Sequence, residues 1–381
     1  MRLRTPRTWS QHQLAIKLRL ETGGKQGILS FERRRMIIHA AKTALAASLC
    51  WWLALRFGLH DGYWGSISAI IVMQSNVGAT ITASRDRLLG TVLGAIFGFA
   101  FSLAGAPPWN FFCAAMLAIL VSGLLGMRNS ARLAGVTIAI VLLVPSSASH
   151  WELALYRCLE VFLGIVVALA VTTLVLPDRA RVWLRDGLAQ EFLLLGAFFE
   201  AVLTGFRGAP VEHLSALRGD LQSMLNGNDQ LLGAARNEPS APEWNEGLGL
   251  LTEFGRSLFD ALLALELAVK DSHADRFAQQ LEPALTHFAN DIRSSFNFLA
   301  ACTHRWNFSK PAENIHLEQD IAALEARMDA VRHTGIGFSP AEILRAYAVQ
   351  LHLKQIARLL RSTRIEASRV LNPSRKESES L

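Results

Sequence analysis

Apolar segments separated by short polar breaks occupy the chain from about residue 36 to Pro177. An α-helix rises 1.5 Å per residue, so about 20 residues are needed to cross a ~30 Å hydrocarbon core. Four of the six segments reach or approach that length, whereas the second and the fifth are shorter. The segments are residues 37–57, 63–74, 88–104, 109–127, 133–144 and 153–176. The pattern therefore predicts a bundle of transmembrane helices.

After Pro177 the spacing of apolar residues changes to that of amphipathic helices, separated by glycine and proline clusters. Six such helices are predicted, at residues 179–204, 211–235, 244–271, 275–304, 313–333 and 340–369. We therefore predict an all-α protein with a six-helix transmembrane bundle at residues 36–177 and a cytoplasmic antiparallel helical domain at residues 178–370. A basic cytoplasmic segment at residues 1–35 precedes them, and a disordered tail follows at residues 371–381.

The basic residues decide whether the two short segments count as membrane spans. Up to Pro177 the chain has 16 lysines and arginines against six aspartates and glutamates, although the whole chain carries a net charge of only +6. If six spans follow a cytoplasmic N terminus, the basic clusters all fall on the cytoplasmic side. The positive-inside rule therefore favours six spans with both termini in the cytoplasm. Charge distributed in this way also argues against a nucleic-acid-binding protein, which would gather it on one soluble face.

The two halves of the predicted bundle are similar at a shift of 70 residues. Arg87 then aligns with Arg157, Gly94 aligns with Gly164, and the short second segment aligns with the short fifth one. Since each half has three spans, the second copy would be inverted in the membrane. In inverted repeats, short or interrupted helices at matching places mark the binding site of a transporter. Chance is the alternative explanation, because apolar segments share alanine, isoleucine, leucine and glycine easily.

Glycines recur every four residues on the third segment, at Gly90, Gly94 and Gly98. This spacing puts them on one helix face and lets another backbone approach closely. We therefore expect these glycines and Gly164 to pack helices together. The alternative is a substrate passage along the same smooth face.

Charged side chains in or beside the spans are candidate functional groups, because a charge at the bilayer centre costs about 3 kcal/mol or more. Arg157 and Glu160 lie three residues apart on the sixth segment, where they form either a structural ion pair or an anion or proton site. Lys42 either reaches the lipid headgroups or belongs to the solute pathway. Arg87 and Arg132 either set the topology or form a cationic vestibule for an anion.

Polar residues end the short second segment, at Gln74, Ser75 and Asn76. If this helix stops within the membrane, its unsatisfied backbone groups must face protein or a water-filled cavity. We therefore expect these three residues to contact a solute. The alternative is that the helix continues through residues 77–83 as an ordinary span.

Signatures of enzymes and metal sites are missing from the sequence. We find no phosphate-binding loop and no catalytic motif, and the scattered histidines, such as His287 and His316, lack metal-ligand spacing. We therefore predict that the protein is not an enzyme, and we assign no catalytic residue, cofactor or metal.

Aromatic, arginine and glycine residues have a distinctive spacing in four stretches of the chain. These are Gly62–Gln74, Arg87–Gly98, Arg132–Leu143 and Trp151–Val171. In this spacing the chain resembles the fusaric-acid-resistance or aromatic-acid-exporter family. The resemblance covers about residues 30–190, and the helical remainder fits the family's cytoplasmic part only loosely. It implies a multi-pass protein of the bacterial inner membrane that exports aromatic carboxylic acids and is driven by the proton gradient.

The resemblance suggests roles for the candidate residues. Arg87, Arg132 and Arg157 would attract the carboxylate of a small organic anion. Glu160 would relay protons, and residues Gln74–Asn76 would contact the solute. Long members of the family carry two membrane units and this chain has one, so we expect a homodimer or higher homo-oligomer.

Three further points stay open at this stage. Some members of the family work with a periplasmic adaptor, and nothing in the sequence decides whether this chain does. Because some members resemble plant anion channels, a passive organic-anion channel is one alternative function. The other is a membrane scaffold that transports nothing and binds a partner through its cytoplasmic helices.

Overall fold

A computed structural model shows that the chain divides into two compact units, with the division after Asp178. The structure describes residues 24–59, 61–105, 108–144, 149–206, 214–239, 242–269, 276–308, 315–333 and 338–371. Every regular element within these ranges is an α-helix, which confirms that the protein is all-α. Most of the predicted basic segment, at residues 1–23, and the predicted tail from residue 372 onwards lie outside the described residues.

The first unit contains six helices in the part of the chain that the structure describes. They are α1 (Gly24–Arg56), α2 (Tyr63–Val72), α3 (Val77–Ser102), α4 (Pro108–Leu124), α5 (Arg128–Leu143) and α6 (His150–Leu174). The first helix begins inside the predicted basic segment, because no proline interrupts the chain between Gly24 and the apolar run. Residues 77–83 form the start of α3, so they do not extend the second helix.

Three described helical stretches are long and apolar enough to cross a membrane. They are Met36–Arg56, His150–Leu174 and Ala180–Phe206. Tyr63–Val72 and Pro108–Leu124 are apolar but shorter. A helix as short as α2 is about 15 Å long, which is half of a ~30 Å hydrocarbon core. The six membrane crossings therefore stay a prediction.

Large apolar side chains cover the first unit, with Leu55, Phe112 and Phe162 each more than half exposed. In the described part of the second unit, large apolar side chains are exposed at Leu267, Leu344 and Leu351. Polar side chains such as those of Arg87 and Glu160 are instead buried inside the first unit. Apolar residues outside and polar residues inside are the arrangement that a lipid environment favours.

Glycines lie at the closest contacts between helices of the first unit. A Cβ atom on Gly94 of α3 would lie 2.5 Å from the carbonyl oxygen of Ala134 on α5, and one on Gly90 would lie 2.6 Å from that of Ser130. On α6, a Cβ atom on Gly164 would lie 2.3 Å from the carbonyl oxygen of Gly65 on α2. These distances leave no room for a side chain, so the helices approach backbone to backbone. One turn further along α3, a Cβ atom on Gly98 would meet that of Val141 at 3.0 Å.

The six helices form two triplets, α1–α3 and α4–α6, and the contacts between the triplets come in matching pairs. The third helix of each triplet packs on the second helix of the other, so that α3 lies on α5 and α6 lies on α2. The first helix of each likewise packs on the third of the other, as α1 does on α6 and α4 on α3. Helices α3 and α6 pack against each other between them. A two-fold relation between the triplets would produce these matching pairs.

The second unit also consists of helices in its described residues. They are α7 (Ala180–Phe206), α8 (Leu214–Ala235), α9 (Pro242–Val269), α10 (Arg276–Arg305), α11 (Leu317–Arg332) and α12 (Pro340–Leu371). Helix α7 packs on α8, α9 and α10, and its Phe192, Phe198 and Phe199 are fully buried there or nearly so. The apolar composition of α7 is therefore accounted for by the core of this unit. Its first backbone N–H, at Ala180, donates to the Glu238 carboxylate at 2.6 Å.

A methyl group added at Gly94 tests the close packing of α3 on α5. We expect Gly94→Ala to lower stability by about 1–3 kcal/mol, because the new Cβ meets backbone atoms that cannot move aside. The matched control is Gly135→Ala on α5, where nothing lies within 4 Å of the added atom. The measurement is thermal unfolding of the detergent-solubilised protein. Equal stability of the two variants would contradict the packing role of Gly94.

Candidate functional site

Two arginines are buried inside the first unit, Arg87 on α3 and Arg157 on α6. They are 2% and 3% exposed, respectively. They are also the pair that aligns at the 70-residue shift between the two triplets. Because a guanidinium group does not lose its proton in proteins, each is a fixed positive charge that needs compensation.

Arg157 has its compensation within the protein. One of its terminal nitrogens donates to Glu160 at 2.9 Å, and the other donates to Asp61 at 3.0 Å. The guanidinium carbon also lies 4.6 Å from the centre of the Trp64 ring, within the range of a cation–π contact. Glu160 is 1% exposed, whereas the Asp61 side chain is 44% exposed. The cluster thus connects a buried carboxylate, through Arg157, to a carboxylate at the surface.

Arg87 has no such compensation. Its Nη2 donates to the Ser68 hydroxyl on α2 at 3.3 Å, and its Nε, like that of Arg157, is buried without a hydrogen-bond partner among the described residues. Among the described residues, no carboxylate forms an ion pair with it. A buried charge with one neutral partner is costly, because a single hydroxyl replaces little of the lost hydration. An anion bound at Arg87 would remove that cost.

The alignment of the triplets explains why the two arginines differ. At the 70-residue shift, the counterparts of Asp61 and Trp64 are Ala131 and Ala134, and the counterpart of Glu160 is Gly90. The groups that hold Arg157 are therefore absent at the matching positions of the other half. The chain thus has an arginine at two related positions, and its own carboxylates compensate the charge of one of them, Arg157.

A stripe of polar residues runs along α3 through Arg87. Thr80, Ser84, Arg87 and Thr91 are all buried, and their spacing of four, three and four residues puts them on one helix face. The hydroxyl of Thr91 donates to the Arg87 carbonyl oxygen at 2.8 Å, whereas the Ser84 hydroxyl is buried without a partner. The apolar pattern did not reveal this stripe, because three of its four residues precede the predicted segment 88–104, although their helical spacing was a signal.

The break between α2 and α3 is closed by local hydrogen bonds. The buried Asn76 side chain accepts from the Ala79 backbone N–H at 2.8 Å and so caps α3. The Gln74 backbone N–H donates to the Thr80 hydroxyl at 3.1 Å. The side chains of Gln74 and Ser75 are exposed. Asn76 therefore has a structural task in the break, and solute contact by these three residues stays a prediction.

Two other candidates lie apart from the buried arginines. The Lys42 ammonium group is buried and donates to the Asp178 carboxylate at 3.0 Å and to the Leu176 carbonyl oxygen. It thus ties α1 to the segment that follows α6, instead of reaching freely to the lipid headgroups. Arg132 is exposed near the start of α5. The structure does not bring it together with the buried Arg87 or Arg157 by any contact between described residues.

The family model described as "Fusaric acid resistance protein family" matches residues 36–380. This match extends beyond the transmembrane resemblance and includes the helical second unit. The chain is also 30% identical over 155 residues to an "Uncharacterized transporter YdhK" of Escherichia coli, a match covering 37% of this chain and 23% of that protein. The chain therefore spans less than a quarter of that relative's length.

Two further relatives are similar at lower identity. The "UPF0421 protein SH1063" of Staphylococcus haemolyticus is 26% identical over 243 residues, which cover 60% of this chain and 70% of that protein. The "Inner membrane protein YccS" of Escherichia coli is 27% identical over 151 residues, which cover 37% of this chain and 20% of that protein. Together with the exposed apolar surface of the first unit, these matches identify a membrane protein.

Removal of one partner tests the coupling of the buried pair Arg157 and Glu160. We expect Arg157→Met to lower stability by about 3 kcal/mol or more, because Glu160 then stays buried without a counter-charge. Adding Glu160→Gln should restore part of the loss, since the amide carries no charge. The measurement is a double-mutant cycle from unfolding in detergent, with the exposed Arg56→Met as control. Additive losses in the double variant would contradict the coupling.

Proposed function

Because this chain belongs to the fusaric acid resistance protein family, we propose that it is a transporter of the bacterial inner membrane. It exports aromatic carboxylic acids or related small organic anions. Relatives of the chain bear the name of transporter or inner membrane protein, which supports this proposal. The proton gradient supplies the energy.

The observation that carries the proposal is the uncompensated charge of Arg87. A transported carboxylate would act as the missing counter-ion, by charge-assisted hydrogen bonds to the guanidinium group. On the polar face of α3, the buried Ser84 hydroxyl has no partner among the described residues and offers a further donor three residues before Arg87. A neutral solute would leave the charge of Arg87 uncompensated, so the site favours anions.

Proton coupling is proposed for the Arg157 cluster. Glu160 is the relay residue, because it is buried beside Arg157 while Asp61 on the other side of the same guanidinium group is partly exposed. Protonation of Glu160 would weaken its hold on Arg157 and change the packing of α6 on α2. Exposed Arg132 belongs to a vestibule that attracts the anion before it reaches Arg87.

The architecture proposed for this function is a 3+3 inverted repeat with six spans and both termini in the cytoplasm. The matching pairs of contacts between the triplets support the repeat. A homodimer or higher homo-oligomer is the proposed working assembly. A periplasmic adaptor is a further proposed partner.

Substitution of Arg87 tests the anion site. We expect Arg87→Met to lower the uptake of labelled benzoate into everted membrane vesicles by about tenfold or more, since it removes a charged hydrogen-bond donor. The matched control is Arg56→Met, an arginine of the same unit that is exposed and contacts Trp52. Vesicles without the protein correct for passive diffusion of the protonated acid. Uptake by Arg87→Met at the level of the control variant would refute the site.

Substitution of Glu160 tests the driving force separately. Wild-type uptake should rise with an imposed pH gradient across the vesicle membrane. We expect Glu160→Gln to exchange the anion down its own gradient while losing the response to pH, because the amide does not titrate. An ohmic anion current in planar bilayers, independent of the pH gradient, would instead indicate a channel.

A further inference from the structure

Three side chains of the second unit that could bind a metal ion lie together at the junction of α10 and α11. They are His287 and Asp291 on α10 and Asp320 on α11. Each offers one ligand atom, and these atoms all lie within 4.8 Å of one another. His287 and Asp291 are four residues apart, so they share one face of their helix. Asp320 is in the first turn of α11, which directs it towards that face.

Apart from His287 itself, no basic side chain among the described residues balances the negative charge of this cluster. Nδ1 of His287 lies 2.7 Å from one carboxylate oxygen of Asp320, and Asp291 accepts from the His316 backbone N–H at 2.8 Å. Among the described residues, no lysine or arginine forms an ion pair with either aspartate. One carboxylate thus pairs with the imidazole and a second has a ligand oxygen within 4.8 Å of both, which is an arrangement that favours the binding of a cation.

The decisive observation is the second carboxylate oxygen of Asp320. Asp320 is more than nine-tenths buried, and no hydrogen-bond donor among the described residues reaches its Oδ2. A buried carboxylate oxygen without a partner is costly, because nothing replaces the water it has lost. Asp320 supplies one ligand oxygen of the cluster, and a metal ion bound through Oδ2 would give that oxygen a partner.

We infer that His287, Asp291 and Asp320 form a binding site for a divalent first-row transition-metal ion such as Zn²⁺ or Mn²⁺. One imidazole nitrogen and two carboxylates are a mixed ligand set of the kind that these ions accept. Water fills the remaining coordination positions on the side of His287, whose side chain is 69% exposed and leaves an entry path. Because Nδ1 of His287 lies 2.7 Å from Oδ1 of Asp320, binding would require this pair to open to the roughly 3.4 Å separation of ligands in a tetrahedral site. The bound ion would join α10 to the start of α11.

Metal titration of the full chain in detergent tests the site. The protein is first stripped with a chelator and freed of any affinity tag, and Zn²⁺ and Mn²⁺ are then titrated by calorimetry. We expect one ion per chain and a rise in melting temperature with metal concentration. Asp320→Asn and His287→Gln should each weaken binding by about tenfold or more, because each removes a direct ligand.

The matched control is His304→Gln on the same helix. His304 pairs with Asp186 at 3.3 Å and is similarly exposed, but no second carboxylate completes that pair as a ligand cluster in the described residues. Binding should be unchanged in this variant, and circular dichroism checks that all variants are folded. Failure of the wild type to bind either ion, or equal binding by wild type and Asp320→Asn, would overturn the inference. Co²⁺ titration gives an independent readout, since its visible absorption reports the ligands of a bound ion.

Discussion

Compensation of buried charge is the constraint on which the first unit depends. A guanidinium group inside an apolar bundle requires either a carboxylate of the protein or a negative charge from outside. Arg157 meets the requirement with Glu160 and Asp61, whereas the only side-chain partner of Arg87 among the described residues is the Ser68 hydroxyl. The difference between these two positions supplies the physical basis for an anion site at one of them and a proton-responsive cluster at the other.

The surroundings of Arg87 and Arg157 depend on the close approach of helix backbones at glycines. The glycines of α3 and α6 bring each helix onto a short helix of the other triplet, with no side chain between them. The approach of α6 to α2 at Gly164 and Gly65 puts Arg157 beside Trp64 and Asp61, which precede that contact along the chain. In the matching contact of α3 with α5, alanines occupy the positions that correspond to Asp61 and Trp64. A duplicated packing scheme therefore yields two unequal polar positions.

The second unit follows different rules, because its exterior is polar and its interior is apolar. Phenylalanines of α7 are at its core, and few large apolar side chains reach the surface of its described part. Charged groups pair across its surface, as Lys354 does with Glu325 and Arg361 with Glu318. Asp291 and Asp320 differ from these groups, because no lysine or arginine among the described residues of the unit pairs with either of them.

The sequence by itself determined the helices and the family. Hydrophobic periodicity is a local property, so it predicted the helices of the second unit to within a few residues and the glycine face of α3 without knowledge of the neighbours. Family resemblance likewise rests on local motifs. Only the tertiary structure decided the partners, such as Asp61 for Arg157, Asp178 for Lys42 and Asp320 for His287. These partners are far apart along the chain, and only the packing of helices against one another brings such residues together.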